Sequence, residues 1–171
     1  MKKYILLFFI LLFVGLATYY YWPEKKLDTT HKITRIVVFK SKRQMNVYAG
    51  DILLKSYQIS LGKSPVGDKS FEGDNKTPEG QYIINAKNPN SVCYKNLGIS
   101  YPNQSDIQVS KSLGKPTGGD IKIHGLPNKQ SFLGKFHRFK DWTNGCIAIT
   151  NTEMEELYQA VDIGTPITIN P

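Results

Sequence analysis

Hydrophobic residues along this chain fall into three regimes: a continuous run at the start, short β-branched clusters through the middle, and one stretch of helical period near the end. The opening run is uncharged across residues 4–23 and is mostly Leu, Ile, Phe and Val. At ~1.5 Å rise per residue, about 20 residues cross a ~30 Å hydrocarbon layer. Lys2 and Lys3 precede the run and Tyr19-Tyr-Tyr-Trp22 closes it, which matches a positive-inside flank and an interfacial aromatic belt. Residues 1–23 therefore read as a transmembrane signal anchor. Gly15 and Ala17 are small enough for a cleavage site, but the length of the run and its aromatic end favour retention. No Cys follows the run, so a lipoprotein anchor is excluded. The expectation is a single-pass protein of the cell (inner) membrane whose remainder lies in the periplasm or another extracytoplasmic space.

Residues 24–31 are polar and read as a linker, and 32–171 as one domain. Within it, 33–39 is β-branched and strand-like. The clusters 45–48 and 52–57 flank Ala49-Gly-Asp51 as a hairpin, and 59–62 continues the pattern. Residues 63–80, rich in Gly, Pro, Asp and Lys, predict a long loop. Its end, Thr77-Pro-Glu-Gly80, is a turn that opens onto a strand at 81–85. Further short strands are expected at 99–101, 121–123 and 167–169. The one helix expected after the anchor begins at Thr152, where Thr152-Glu-Met-Glu155 has capping-box form, and Gly164-Thr-Pro166 stops it. The fold class is mainly β, a sandwich or barrel with one late helix.

Composition changes this picture little. Of 171 residues, 40% are hydrophobic and 21% charged, which excludes wholesale disorder. A net charge of +8 favours anionic partners. The basic residues are scattered apart from Lys40-Ser-Lys-Arg43, so nucleic acid is not expected; a carboxylate-rich polymer or an anionic membrane face fits. The spacings of His124, His137, Cys93 and Cys146 lack the close pairs of a zinc site, and no phosphate-loop or dinucleotide glycine pattern occurs. No metal or cofactor is expected, and a monomer is.

Two residues carry candidate chemistry. Cys146 lies in Asp141-Trp-Thr-Asn-Gly-Cys-Ile-Ala-Ile-Thr-Asn151. A Gly before the Cys lets the backbone take angles that expose the sulfur and converge N–H groups into an oxyanion hole. The residues after it are strand-like, so no helix dipole activates the thiol and a neighbouring base is required. His124, in Ile121-Lys-Ile-His-Gly125, ends a strand where a Gly turn begins, and imidazole suits proton exchange with a thiol near neutral pH. In an oxidising compartment, a Cys93–Cys146 disulfide is the competing reading.

Ile-His-Gly followed by Thr-x-Gly-Cys-Ile resembles the signature of the L,D-transpeptidase (YkuD-type) catalytic domain. Ser60-Leu-Gly62 with Pro65, and Gly73-Asp-Asn-Lys-Thr-Pro-Glu-Gly-Gln-Tyr82, resemble that family's first half. The likeness runs from about 33 to 170, and Asp141-Trp142 before the Thr is similar to a proteobacterial-type branch. The resemblance implies Cys146 as nucleophile, His124 as proton donor and acceptor, and backbone N–H groups around Asn144, Gly145 and Cys146 as oxyanion donors. It implies peptidoglycan stem peptides as substrate, joined through a Cys thioester and passed to an amine. Gly125, Thr143, Arg138, His137 and Trp142 are the expected substrate-side residues. The chain departs from the family in having Asn144 where many members have His, and Ala148 where many have Arg or Asn. Arg138 is therefore the candidate replacement for a carboxylate-binding Arg, and His137 a second candidate base.

Other readings stay open on the residues alone. Water in place of the amine gives an L,D-carboxypeptidase or cross-link hydrolase from the same thioester. A wall-binding module without chemistry would accommodate Asn144 and Ala148. A papain-like protease usually places Cys before His and at a helix start, the reverse of the order here.

Overall fold

The computed structural model describes residues 2–171. The apolar run forms one helix, α1, Lys2–Tyr21, none of whose residues is buried against the rest of the fold. Met1, also assigned to the anchor, lies outside the described residues. Residues 24–31 are not a free tether: Leu27 is buried, and its N–H donates to Glu156 Oε2 at 3.0 Å.

Eight strands follow: β1 Arg35–Phe39, β2 Gln44–Ala49, β3 Ile52–Gln58, β4 Gly80–Ser91, β5 Tyr94–Ile99, β6 Lys122–His124, β7 Ile147–Ala148 and β8 Pro166–Asn170. They make a single sheet in the order β3-β2-β1-β8-β4-β5-β6-β7. The expected hairpin is β2–β3, antiparallel, with a register shift between Val47 and Tyr48. The chain's last strand, β8, inserts parallel to β1 and antiparallel to β4, joining both halves. Ser60, just beyond β3, bridges to Ala148 of β7, so the curled sheet nearly meets itself. A half-barrel thus replaces the sandwich alternative. Its concave side is filled by β-branched and Leu side chains such as Ile36, Val38, Ile84, Leu97, Ile123 and Ile147, all fully buried.

Helices depart from expectation in two ways. A helix the hydrophobic pattern did not announce, α2, Gln104–Ser112, is set by Asn103, whose side chain accepts from Ser105 N and Asp106 N while Asp106 returns a bond to Asn103 N. Its buried residues are Asp106 and Ser110 rather than an apolar stripe, so its sequence carries no hydrophobic period. The late helix, α3, Asn151–Ala160, begins earlier than expected. Its capping box is Thr150 with Glu153, not Thr152 with Glu155. The segment Thr150-Asn-Thr-Glu-Met-Glu155 contains both registers. The first wins because it buries Glu153, and Glu155 is left outside to bind Lys95 and Tyr94.

The loop 63–79 is pinned from within. Asp74 accepts from Ser70 N, Phe71 N and Lys76 N and pairs with buried Lys69 at 2.8 Å. Lys40, from the basic cluster, is buried and donates to Gly67 O, Thr77 O and Glu79. Arg43 grips Asp141 with two nitrogens. The cluster therefore serves the fold, with little left to offer an external anion.

Candidate active site

The two central residues meet through β6 and β7, which run parallel with Ile123 opposite Ile147 and His124 opposite Ala148. Both isoleucines point into the core. Side chains alternate along a strand, so His124 and Ala148 occupy the other face. Carrying the register one step back sets Cys146 beside Lys122 on that same face. Cys146 is then one diagonal step from His124. Diagonal cross-strand neighbours stand roughly 7–8 Å apart, within reach of long side chains.

The imidazole is held in one tautomer. His124 Nδ1 lies 2.7 Å from the carbonyl of Gly125, which can only accept, so Nδ1 carries the proton and Nε2 presents its lone pair. Trp142 packs edge-on against the ring, with centroids 5.6 Å apart. Burial holds the His124 pKa below its ordinary value, against the pull of the Gly125 carbonyl. The imidazole is thus neutral at neutral pH. Burial likewise pushes the Cys146 thiol up, while the backbone N–H and ammonium of Lys122 favour its thiolate. In this arrangement Cys146 Sγ donates to Asp120 O at 3.7 Å rather than to the imidazole. Neither Lys122 nor Asp120 was singled out from the sequence. The available signal was Gly118-Gly119-Asp120, a turn whose last residue takes a positive φ of 62°.

The Gly-Cys turn is built tightly. Thr143 Oγ1 donates to Cys146 O at 2.7 Å and accepts from Gly145 N at 3.1 Å. The Gly145 N–H is thereby occupied, whereas no protein acceptor engages those of Asn144 and Cys146 among the described residues. Gly145 has φ +134°, and a Cβ there would come within 2.7 Å of Lys76 O, so the pinned loop backs the turn directly. Asn144 Oδ1 accepts from Lys63 Nζ at 2.9 Å. A hollow of ≈ 290 Å³ opens beside Asn144, lined also by Ile121, Gly118, Asn75 and Glu72.

Other expected site residues lie elsewhere. Gly125 faces Asn151 Oδ1 and Cys93 O, which leave no room for a side chain; its need is steric. Arg138 is turned away from the cleft: its guanidinium, 4% exposed, binds Glu153 and Glu24 at 2.8 Å each. Buried Glu153 and the more exposed Glu24 together hold this cation within the fold. His137 Nδ1 hydrogen-bonds with Ser60 Oγ, and burial with the Arg138 charge pushes its pKa down to about 3, so it is a neutral structural group. Cys93 and Cys146 are both free thiols. Among the described residues no group of three or more His, Cys, Asp or Glu converges as a metal site.

A Gly-Cys turn with free N–H donors, facing a tautomer-locked imidazole across a two-strand ladder, is suited to thiol-based acyl transfer. The comparisons narrow that class. A sequence model of the YkuD family, the L,D-transpeptidase catalytic domain, matches residues 33–169, and the chain belongs to this family. YafK of Escherichia coli (strain K12) is 31% identical over 133 residues, which cover 74% of this chain and 46% of that protein. The crystal structure of the helical cell shape determining protein Pgp2 from Campylobacter jejuni superposes with a TM-score of 0.59 at 28% identity, covering 84% of this chain and 50% of that one. An L,D-transpeptidase from Mycobacterium smegmatis shares the fold, with a TM-score of 0.53 at 15% identity over 80% of this chain and 58% of that one. The chain spans about half the length of YafK and of Pgp2.

Proposed function

We propose that this protein is a membrane-anchored, extracytoplasmic L,D-transpeptidase that cross-links or remodels peptidoglycan through a Cys146 thioester. The observation that carries the reading is the parallel β6–β7 register, which sets Cys146 and a His124 locked with Nε2 free on one face. The thiol turns from Asp120 O toward His124 Nε2 and gives it the proton. The sulfur attacks the carbonyl joining the stem peptide's diamino acid to its terminal D-amino acid. The oxyanion is received by the Asn144 and Cys146 N–H groups; losing one such donor costs about 10²–10³ in rate. The C–N bond breaks, the leaving amine takes the proton from His124, and the thioester remains. An acceptor amine, deprotonated by His124, then displaces the sulfur. Trp142 and Thr143 act as positioning residues for the ring and the turn. Lys122, beside the thiol and paired at 2.6 Å only with the largely exposed carboxylate of Asp120, takes the carboxylate-binding role expected of Arg138. The anchor part of the reading is supported by α1, 20 residues long and apolar enough to cross a membrane.

The test is incubation of the detergent-solubilised chain with muropeptides carrying a terminal D-amino acid, followed by intact-protein and product mass spectrometry. The expected result is an acyl adduct mapped to Cys146 and, with an acceptor stem peptide present, a cross-linked product. Shortened peptide alone would make the protein a hydrolase of the same bond. No adduct and no turnover would overturn the reading in favour of a wall-binding module.

A further inference from the structure

The insertion between β6 and the Gly-Cys turn, residues 128–139, is built from short 3₁₀ turns and has a composition unlike the rest of the domain. It contains Phe132, Phe136 and Phe139 with Lys129, Lys135 and Arg138, and no acidic residue. It packs on the outer end of α1. Tyr19 stacks on Phe136 and Phe139, with centroids 6.2 and 5.5 Å away, and Tyr20 Oη donates to Phe132 O at 2.9 Å. Lys135 Nζ donates to Trp22 O, and both Lys135 and Arg138 pair with Glu24, the first residue beyond Pro23 that can carry a negative charge. These contacts fix the height of the insertion relative to the apolar helix.

That height is what identifies its partner. A groove of ≈ 460 Å³ runs between the insertion and α1, with Phe132 and Phe136 on one wall and Phe13, Leu16 and Tyr20 on the other. Phe13 and Leu16 precede the helix end at Tyr21 by eight and five residues. At ~1.5 Å per residue, the groove therefore lies roughly 8–12 Å below the outer end of the span. An interfacial element buries its apolar face about 5–10 Å into the headgroup–acyl boundary. Phe132 and Phe139 remain 70% and 67% exposed within the fold, although both are large and apolar. Exposed Lys129 and Lys140 flank Phe132 and Phe139 in sequence, and exposed Lys25 and Lys26 line a hollow with Gly134 and Lys135 of the insertion.

We propose that residues 128–139 form a second membrane contact, in which Phe132 and Phe139 enter the outer leaflet beside α1 and these lysines meet anionic phospholipid headgroups. The inference rests on α1 being a retained span. It has a consequence for the site. His137 ties the insertion to Ser60, and Ser60 exchanges both backbone hydrogen bonds with Ala148, two residues after Cys146. The reactive sulfur is thereby held at a set distance above the bilayer rather than on a swinging tether.

The test uses the full chain in vesicles of phosphatidylethanolamine and phosphatidylglycerol, with the photoreactive substitutions Phe132→p-benzoylphenylalanine and Phe139→p-benzoylphenylalanine. The same substitution at Phe9 in the span is the positive control, and at Leu113, at the end of α2, the negative one. Lipid adducts at 132 and 139 at least tenfold above those at 113, and lowered when phosphatidylglycerol is omitted, would support the proposal. Adducts at Phe9 but not at 132 and 139, or protein–protein adducts at 132, would overturn it and leave the anchor standing. No lipid adduct at any position, Phe9 included, would remove the anchor reading and this inference with it. The replaced side chains are exposed within the fold, and an unchanged melting temperature verifies that each variant is folded.

Discussion

Gly145→Ala isolates what the Gly-Cys turn contributes. With φ at +134°, the residue occupies backbone space that L side chains rarely enter, and such conformations cost on the order of 1–3 kcal/mol. The new Cβ would also sit 2.7 Å from Lys76 O and 3.1 Å from Ile121 Cδ1, and the carbonyl belongs to a loop held by Asp74 and Lys69, so it yields poorly. A loss of about 3 kcal/mol is expected, roughly 6–12 °C in melting temperature for a chain of this size. The turn must shift outward to relieve the contact, carrying Cys146 and its flanking N–H donors with it. A displacement near 1 Å of a reacting group costs about 10²-fold in rate. Gly50→Ala is the matched control: φ is +56°, nothing lies within 4 Å, and about 1 kcal/mol should be lost without effect on chemistry. The assay is single-turnover acylation by a muropeptide at a temperature where all variants are folded, alongside thermal melts. If Gly145→Ala acylates within threefold of the parent rate, the turn does not position the sulfur and the reasoning fails.

Further outcomes follow from the same geometry. Cys146→Ala should abolish acyl-enzyme formation while Cys93→Ser keeps most of it; a Cys146→Ala protein with parent activity would refute the nucleophile assignment. Arg138→Ala should leave Glu153, 3% exposed, without its partner inside the fold and cost about 3–5 kcal/mol in denaturant titration with little change in KM. A large rise in KM at unchanged stability would return Arg138 to the substrate. The pH–rate profile should be flat across neutral pH, because burial holds the His124 pKa below its ordinary value and the Cys146 pKa above its own. Activity should then fall as acid protonates Nε2 below that plateau. His124→Ala should remove that limb and slow thiol alkylation near neutral pH, and an identical alkylation profile in the variant would take His124 out of the mechanism.

Legibility differed from element to element for physical reasons. Local signals suffice where the side-chain pattern alone chooses the structure. The β2–β3 hairpin, the terminal strand β8 and the apolar helix α1 each follow from a few adjacent residues. At the start of α3 the two overlapping Thr-x-x-Glu registers are equivalent locally, and only burial of Glu153 beneath Arg138 selects the first. Helix α2 was invisible to periodicity because it turns Asp106 and Ser110 inward, where Tyr82 Oη donates to Asp106 at 3.0 Å.

For the candidate site, the residue types and their order along the chain were enough to single out His124 and Cys146, since a thiol without a helix dipole needs a separate base. What the linear order could not supply was their relation in space. That comes from β6 and β7 pairing in parallel across the 128–139 insertion, a register chosen by Ile123 and Ile147 burying together. The tertiary structure likewise decided the fate of the cations. Arg138 and Lys40 look free in the sequence, but Glu153, Glu79 and backbone carbonyls claim them, and Lys122, opposite Cys146 when the ladder is extended, pairs with the exposed Asp120. Charge placement depends on partners far along the chain, so no window of neighbouring residues contains it.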